Sequence, residues 1–324
     1  MIGLVIGNTI SLPETFSPGV SFCLSRFLRL GIIMMGIRLS IFDAVRIGVW
    51  GIPIVLICIV TGLVLTTYFT RLLHLPDRLG TLMAVGTAIC GVTAIVAAAP
   101  AIDAEDREVA YAVANIAVFG IMATLVYPYL SNALFAGNVV MAGLFQGTAI
   151  HDTSQVTGAA LIYDQTFRVT TKPSVADIAI VTKLVRNVFM ALVIPLMAYL
   201  YARRVRSQGG TAHARVSAWK LFPIFILGFV AMTIFRSAGD AGIQHGGLAA
   251  GLWSPAQWSH GIGWVSDMAG YALAMALAGV GLGTRIKKLK GLGIKPFYVG
   301  LFASLVVGVA SALSVFLLGG HVRL

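Results

Sequence analysis

Residues 147–160 read GTAIHDTSQVTGAA and place polar and ionisable side chains inside an otherwise apolar segment. Such groups are costly at membrane depth, so they usually face a polar cavity or a partner. His151 and Gln155 stand four positions apart and would share one face of a helix, and the neighbouring Asp152 would favour a protonated histidine. The stretch therefore indicates a substrate or proton site, with a polar loop tip or a re-entrant turn as the open alternative.

A second stretch, GTAICGVTAIVAAAP over residues 86–100, is apolar but rich in glycine, threonine and alanine. Gly91 weakens a helix, and Thr87 and Thr93 can satisfy backbone groups that a break leaves free. The pattern predicts a broken helix at mid-membrane, whose second half would offer N–H groups and a positive dipole end to an anion. Cys90, Gly91 and Thr93 would then line the path. A small-residue face packed against a neighbouring helix is the open alternative.

The third motif, VTKLVRNVF, sets Lys183, Arg186 and Asn187 at positions i, i+3 and i+4, on one face of a helix. Arg186 would lie about 15 Å along its span, close to the middle of the bilayer. Two fixed cations that face a cavity would attract an anion, and arginine can bind an oxyanion through two donors. The alternative is a structural ion pair with Asp152 or Asp177.

Composition supports a membrane setting for these motifs. The 324 residues are 58% hydrophobic and only 11% charged, whereas charged residues make up about 25% of a typical soluble domain. A soluble fold of this size could not bury so much apolar side chain. This excludes a soluble enzyme, a disordered chain and a nucleic-acid-binding module. The net charge of +11 is then best explained by basic cytoplasmic loops.

A helical span needs about 20 mainly apolar residues, and the sequence contains nine such stretches. They are 22–40, 48–70, 81–101, 108–133, 138–163, 175–202, 219–236, 264–284 and 296–319. Residues 1–8 read as the end of a further span whose beginning is missing. We therefore predict an all-α membrane bundle of about nine to ten spans in one domain, residues 1–324. Whether 81–101 and 138–163 cross fully or re-enter is left open, with full crossing favoured for 138–163.

Basic residues orient the bundle, because short cytoplasmic loops are rich in lysine and arginine. The loops 203–220 and 285–295 carry such clusters and are predicted to be cytoplasmic, which places the connection 237–263 outside. Arg38, at the end of a span, is interpreted as an interfacial anchor.

Two helix pairs resemble copies of each other. Gly36 aligns with Gly281 (281 − 36 = 245) and Gly48 with Gly293 (293 − 48 = 245). The charge rule gives these pairs opposite orientations, as in the inverted repeats of secondary transporters. The sequence therefore predicts an inverted repeat.

In this order and spacing, the segments LRLGIIMMGIRLS, GTAICGVTAIVAAAP, GTAIHDTSQVTGAA and VTKLVRN resemble the YeiH-like family of bacterial inner-membrane proteins, which is named for sulfate export. The resemblance covers essentially the whole chain. It marks as family motif positions Cys90, Gly91, His151, Gln155, Lys183 and Arg186. It implies a plasma-membrane protein of ten or eleven helices and an oxyanion substrate.

These observations predict a secondary transporter of a small inorganic or organosulfur anion, such as sulfate. Broken segments 86–100 and 147–160 would meet near mid-membrane, Lys183 and Arg186 would supply positive charge, and His151 with Asp152 would couple protonation to binding. The rival hypotheses are a cation/proton antiporter that uses the same two residues, a membrane-embedded enzyme, and a sensor or partner subunit. The sequence lacks P-loop, HExxH, GxSxG and CxxC motifs, so we expect no enzymatic activity, cofactor or metal. We expect the lipid bilayer as a partner and no nucleic acid, and an oligomer of identical chains stays open.

Overall fold

A computed structural model describes residues 13–207, 224–249, 251–283 and 294–322, together with the isolated residues Ile6 and Thr9. Within these ranges the fold is helical, and β pairing is limited to one isolated bridge between Ala249 and Trp253. The prediction of an all-α fold is therefore confirmed.

The α-helices of the described residues follow in chain order. They are α1 (Ser17–Phe22), α2 (Leu28–Met35), α3 (Ile41–Leu72), α4 (Asp77–Ala88), α5 (Val92–Ala98), α6 (Asp106–Leu134), α7 (Val139–Ala149), α8 (Thr153–Thr166), α9 (Val175–Val188), α10 (Met190–Ser207), α11 (Phe225–Gly246), α12 (Pro255–Gly283) and α13 (Ile294–Leu318). A π-helical turn (Cys23–Phe27) links α1 to α2, and a 3-10 turn (Gly36–Arg38) follows α2.

Four of these helices, α3, α6, α11 and α13, are long and apolar enough to cross a membrane. A fifth span is obtained if α9 and α10, which are bent by 40° at their junction, count as one. The predicted number of nine to ten spans is therefore not confirmed. Four predicted stretches account for the difference. Stretches 81–101 and 138–163 are each divided into two shorter helices, 22–40 is built from short pieces of different helix types, and 264–284 lies, as far as Gly283, in α12, which is not among the candidate spans.

The two helix breaks lie where glycine- and threonine-rich sequence predicted them. The first separates α4 from α5 at residues 89–91, and the second separates α7 from α8 at residues 150–152. Gly91 occurs at φ +68° and ψ −120°, a backbone conformation that side chains with a Cβ rarely adopt. Its amide donates to Gly86 O at 3.1 Å and closes the end of α4. The prediction of a broken helix in 86–100 is confirmed, and its position in a membrane stays a prediction.

The predicted outside connection 237–263 is wrong in extent. Helix α11 continues to Gly246 and α12 begins at Pro255, so only residues 247–254 connect them. Asp240 pairs with two polar side chains in this region. Arg236 Nε, also in α11, lies 2.6 Å from Asp240 Oδ2, and Trp258 Nε1 of α12 donates to Asp240 Oδ1 at 2.8 Å. A helix can therefore continue through sequence that reads as a polar loop.

Helix α9 occupies the centre of the fold and is buried along nearly its whole length. It packs against α3, α7 and α8, while α13 packs against α3 and α7. Helix α6 contacts both α4 and α8, and α12 packs against α2. Both broken segments therefore contact α6, and the second one also packs against α9.

Some sequence predictions fall outside the described residues. These include Gly293 of the predicted repeat, residues 1–5, 7 and 8 of the hydrophobic start, and most of the basic loops, namely Arg215, Lys220, Arg285, Lys287, Lys288 and Lys290. The inverted repeat and the orientation of the bundle therefore stay predictions.

Gly91→Ala is expected to lower stability by about 1–3 kcal/mol, because alanine would be strained at this φ and ψ. Its Cβ would also lie 3.0 Å from Ile116 Cγ2. The measurement is the midpoint of thermal unfolding of the purified protein in detergent. The control is Gly263→Ala in α12, whose Cβ would meet nothing within 4 Å and which should be neutral or slightly stabilising. Equal midpoints for both variants would contradict the role assigned to Gly91.

Candidate functional site

One face of α9 binds both helix breaks. Lys183, Arg186 and Asn187 share this face, as their spacing predicts, and each donates a hydrogen bond to a residue at or beside a break. The side chains of Lys183 and Arg186 are fully buried, with 0% exposure. A buried charge is costly unless it is compensated, so the groups around these two cations decide how they are held.

Lys183 binds only backbone oxygens. Its Nζ donates to Ile89 O at 3.0 Å, to Ile150 O at 2.9 Å and to His151 O. An ammonium group has three donors, and all three are therefore used. Ile89 follows the end of α4, and Ile150 follows the end of α7, so one side chain joins the two breaks.

Arg186 binds the last turns of the same two helices. Its Nε donates to Ala88 O at 2.8 Å, and its Nη1 donates to Thr148 O at 2.6 Å and to Ile150 O at 3.4 Å. Its Nη2 donates to Thr87 O. The last carbonyls of a helix lack helical partners and carry partial negative charge. The two cations of α9 therefore neutralise two helix C-termini that end inside the protein.

The opposite charge lies where the second halves of both segments begin. Asp152 caps α8, and its Oδ1 accepts from the Ser154 amide at 2.9 Å and from Ser154 Oγ. Gly91, the first residue before α5, packs against Asp152, since a Cβ on this glycine would lie 3.4 Å from the Asp152 Cα and Cβ atoms. One carboxylate thus stands beside two positive helix ends. We call this arrangement the crossing: residues 87–91, residues 148–155, Lys183 and Arg186.

The ion-pair interpretation of Lys183 and Arg186 is wrong. Within the described ranges neither cation is paired with a carboxylate, because backbone carbonyl groups take up their donors. Asp177 is instead paired with Arg38, whose Nε lies 3.3 Å from Asp177 Oδ1. Arg38 therefore contacts a buried partner and does not serve simply as an interfacial anchor.

His151 and Gln155 would share a face only in a continuous helix, and they do not, because α8 begins only at Thr153. His151 lies in the break itself, is 1% exposed, and its Nδ1 has no hydrogen-bond partner. Gln155 completes the cap of α8, and its Oε1 accepts from the Asp152 amide at 3.3 Å.

Of the two remaining predicted residues, Cys90 is buried and Thr93 is exposed. Cys90 is buried beside the first break, and its Sγ lies 3.6 Å from Met190 Sδ. Thr93 lies on the exposed side of α5. The structure therefore brings Cys90, Gly91, His151, Asp152, Gln155, Lys183 and Arg186 together, and places Thr93 at the surface.

A cavity of about 820 Å³ adjoins the crossing. Helices α6, α8 and α12 form most of its wall, and Arg38 joins them. Ser154 and Gln155 line the cavity as well as the crossing, so the cavity reaches the N-terminus of α8. Gly120 of α6 allows this arrangement, because a Cβ at that position would overlap the Gln155 side chain.

The comparisons with known proteins agree with this membrane architecture. The family described as conserved hypothetical protein 698 matches residues 1–300. The chain belongs to this family. It is 30% identical over 311 residues to a UPF0324 membrane protein of Fusobacterium nucleatum (96% of this chain, 87% of the relative). It is 31% identical over 321 residues to a UPF0324 membrane protein of Bacillus cereus (98% and 85%). No solved structure matches.

Membership of the UPF0324 family is consistent with the resemblance drawn from the sequence motifs, and it supports a multi-pass membrane protein. The names of the relatives state a membrane location and no activity. Function must therefore be argued from the crossing and the cavity.

Three polar residues of this region were missed or undervalued by the sequence reasoning: Arg38, Asp177 and Asp267. Arg38 and Asp267 line the cavity, and Asp177 is buried under Arg38. A signal was present for Asp267, since it is an ionisable residue inside the predicted span 264–284.

Arg186→Gln is expected to destabilise this UPF0324 protein by roughly 3–5 kcal/mol, because the carbonyl groups of two buried helix ends lose a charged donor. The measurement is the fraction of detergent-extracted protein that remains monodisperse after stepwise heating. Arg203→Gln on the exposed side of α10 is the matched control, and its heating curve should follow that of the wild type. If both variants follow the wild type, Arg186 does not support the helix ends.

Proposed function

We propose that the protein is a secondary active transporter, in which the cavity holds the substrate and the crossing changes conformation during transport. The observation that carries this proposal is that two broken helices meet with their interrupted backbone bound to buried charges, beside a cavity. Non-helical backbone at membrane depth is tolerated where protein buries it or a cavity adjoins it. Discontinuous helices of this kind form substrate and ion sites in many transporter folds.

The substrate class that we propose is a small solute with an anionic group, such as sulfate or a related sulfur oxyanion. Two cations, Lys183 and Arg186, face one carboxylate, Asp152, so the crossing has an excess of positive charge. Their donors are occupied by carbonyl groups, which means that they would attract an anion through their field without binding it directly. Arg38 in the cavity wall can supply direct contact. The sequence resemblance to a family named for sulfate export points to the same class.

We further propose that Asp152 couples transport to protons, with His151 beside it. Asp152 is only partly buried, so its carboxylate is more accessible to a proton than the buried side chains of Lys183 and Arg186 are. Protonation would remove the negative charge that stabilises the N-termini of α5 and α8. The protonation state of Asp152 would therefore change how strongly the two half-helices are held together.

One observation favours a second candidate, a cation/proton antiporter. Because carbonyl groups take up the donors of Lys183 and Arg186, the crossing offers the carboxylate of Asp152 as the group best placed to change its partner. In that case a cation and a proton would compete for Asp152, and the two buried cations would act only as fixed counter-charges.

Proteoliposomes loaded with labelled sulfate test the first proposal. We expect efflux that depends on the protein, that competing sulfite or thiosulfate reduces, and that a pH gradient changes. Asp152→Asn should abolish the effect of the pH gradient, because a neutral amide cannot exchange a proton at this position. The efflux is measured at two pH values with the gradient in each direction.

The matched control is Asp106→Asn, an exposed carboxylate in the first turn of α6, which should retain the pH effect. Folded protein that moves no anion, but exchanges sodium or potassium for protons in an Asp152-dependent manner, would replace the anion transporter with the antiporter. A pH effect that survives in Asp152→Asn would remove Asp152 as the coupling group.

A further inference from the structure

Asp267 is a carboxylate in the cavity wall. It lies near the middle of α12, its side chain is exposed, and it lines the cavity. Among the residues that the structure describes, it forms no hydrogen bond or ion pair. By contrast, Asp152 is bound by Ser154, and Asp177 by Arg38. An ionisable residue within a predicted span is costly unless it serves a ligand or a partner.

Arg38 lies at the same end of the cavity as Asp267. Helix α11 runs in the same direction as α2, because Gly228 packs on Ile33, and Arg236 further along donates to Ile37 O at 3.4 Å. Helix α12 turns back along α11 after the short connection 247–254. Helices α2 and α12 are therefore antiparallel.

The register of these two helices follows from one close contact. A Cβ on Gly31 would lie 2.7 Å from the Leu273 side chain. Arg38 is seven residues after Gly31 (38 − 31), and Asp267 is six residues before Leu273 (273 − 267). At about 1.5 Å per residue, the two charged residues are at nearly the same level along the helix axes.

The cavity between them suits an organic molecule better than an inorganic ion. Its volume of about 820 Å³ falls within the roughly 300–1,000 Å³ of sites for organic ligands. Ile121, Leu125, Leu161 and Leu277 give the wall apolar surface. Arg38 keeps a fifth of its side chain exposed while its Nε pairs with Asp177, and a guanidinium has two further nitrogens that can donate.

We infer that the cavity binds an organic zwitterion, whose anionic group contacts Arg38 and whose ammonium group contacts Asp267. This inference rests on the proposed transporter function, because it names the class of solute that would be transported. A zwitterion provides a partner for both charged residues of the wall, whereas Asp267 would repel an inorganic anion.

The test is a binding measurement on the full chain in detergent by isothermal titration calorimetry. The zwitterionic probes are taurine and β-alanine, and the matched anions that lack the ammonium group are ethanesulfonate and propionate. Ethylammonium and inorganic sulfate complete the set. We expect each zwitterion to bind about tenfold more tightly than its matched anion, a ratio typical of one additional charge contact in a binding site.

Asp267→Asn should reduce this ratio to near one, because the zwitterions lose a partner for their ammonium group and ethanesulfonate is no longer repelled by a carboxylate. Asp106→Asn, whose carboxylate lies outside the cavity, should bind all probes as the wild type does. Sulfate that binds as tightly as the zwitterions, or an unchanged ratio in Asp267→Asn, would overturn the inference.

The same variants in proteoliposomes separate this inference from the proposed function. Sulfate efflux that persists in Asp267→Asn, without zwitterion binding by the wild type, overturns the inference and supports the anion transporter. Asp267-dependent binding of the zwitterions without flux of any probe supports the ligand assignment and overturns the transporter.

Discussion

The structure depends on how the carbonyl groups at two interrupted helix ends are satisfied. Helices α4 and α7 both end inside the protein, where water is not available to their last carbonyls. Lys183 and Arg186 take up these oxygens, which belong to Thr87, Ala88, Ile89, Thr148, Ile150 and His151. An apolar side chain in either position would leave several buried acceptors unpaired. The two helix breaks therefore require Lys183 and Arg186.

The same interaction connects regions that are far apart in the sequence. Because Lys183 and Arg186 each bind both broken segments, a movement of one segment must be accommodated by the other or by α9. At its start, α9 is capped by Ser174 and Asp177, and Asp177 also pairs with Arg38 in the cavity wall. A ligand that competes for Arg38 would thus weaken a contact at the first turn of α9. The cavity and the crossing are therefore connected through α9, in addition to Ser154 and Gln155, which line both.

The sequence allowed the positions of the breaks and the shared face of Lys183 and Arg186 to be predicted, because both follow from local composition and helical spacing. It did not allow the partners of these cations to be predicted. Which backbone oxygens are free to accept from α9 depends on where the two helices end and how they pack. Side-chain identities do not encode this. The predicted number of nine to ten spans is not confirmed, since hydrophobic length alone does not distinguish a continuous helix from two half-helices. Asp267 gave a signal as an ionisable residue inside the predicted span 264–284, but nothing in the sequence places it at the same cavity as Arg38.

The charged groups of this region divide according to whether their partners are fixed. Lys183 has all three donors bound to backbone, and Arg186 is bound through each of its nitrogens, so neither can change partners without breaking the fold. Asp152, Arg38 and Asp267 are each partly exposed or incompletely paired. In the proposed transport cycle, the groups that change partners come from this second set, because a ligand can shift a conformational equilibrium only through interactions that differ between its states. Lys183 and Arg186 therefore hold the crossing together. Asp152, Asp267 and Arg38 are the groups free to respond to a ligand or a proton.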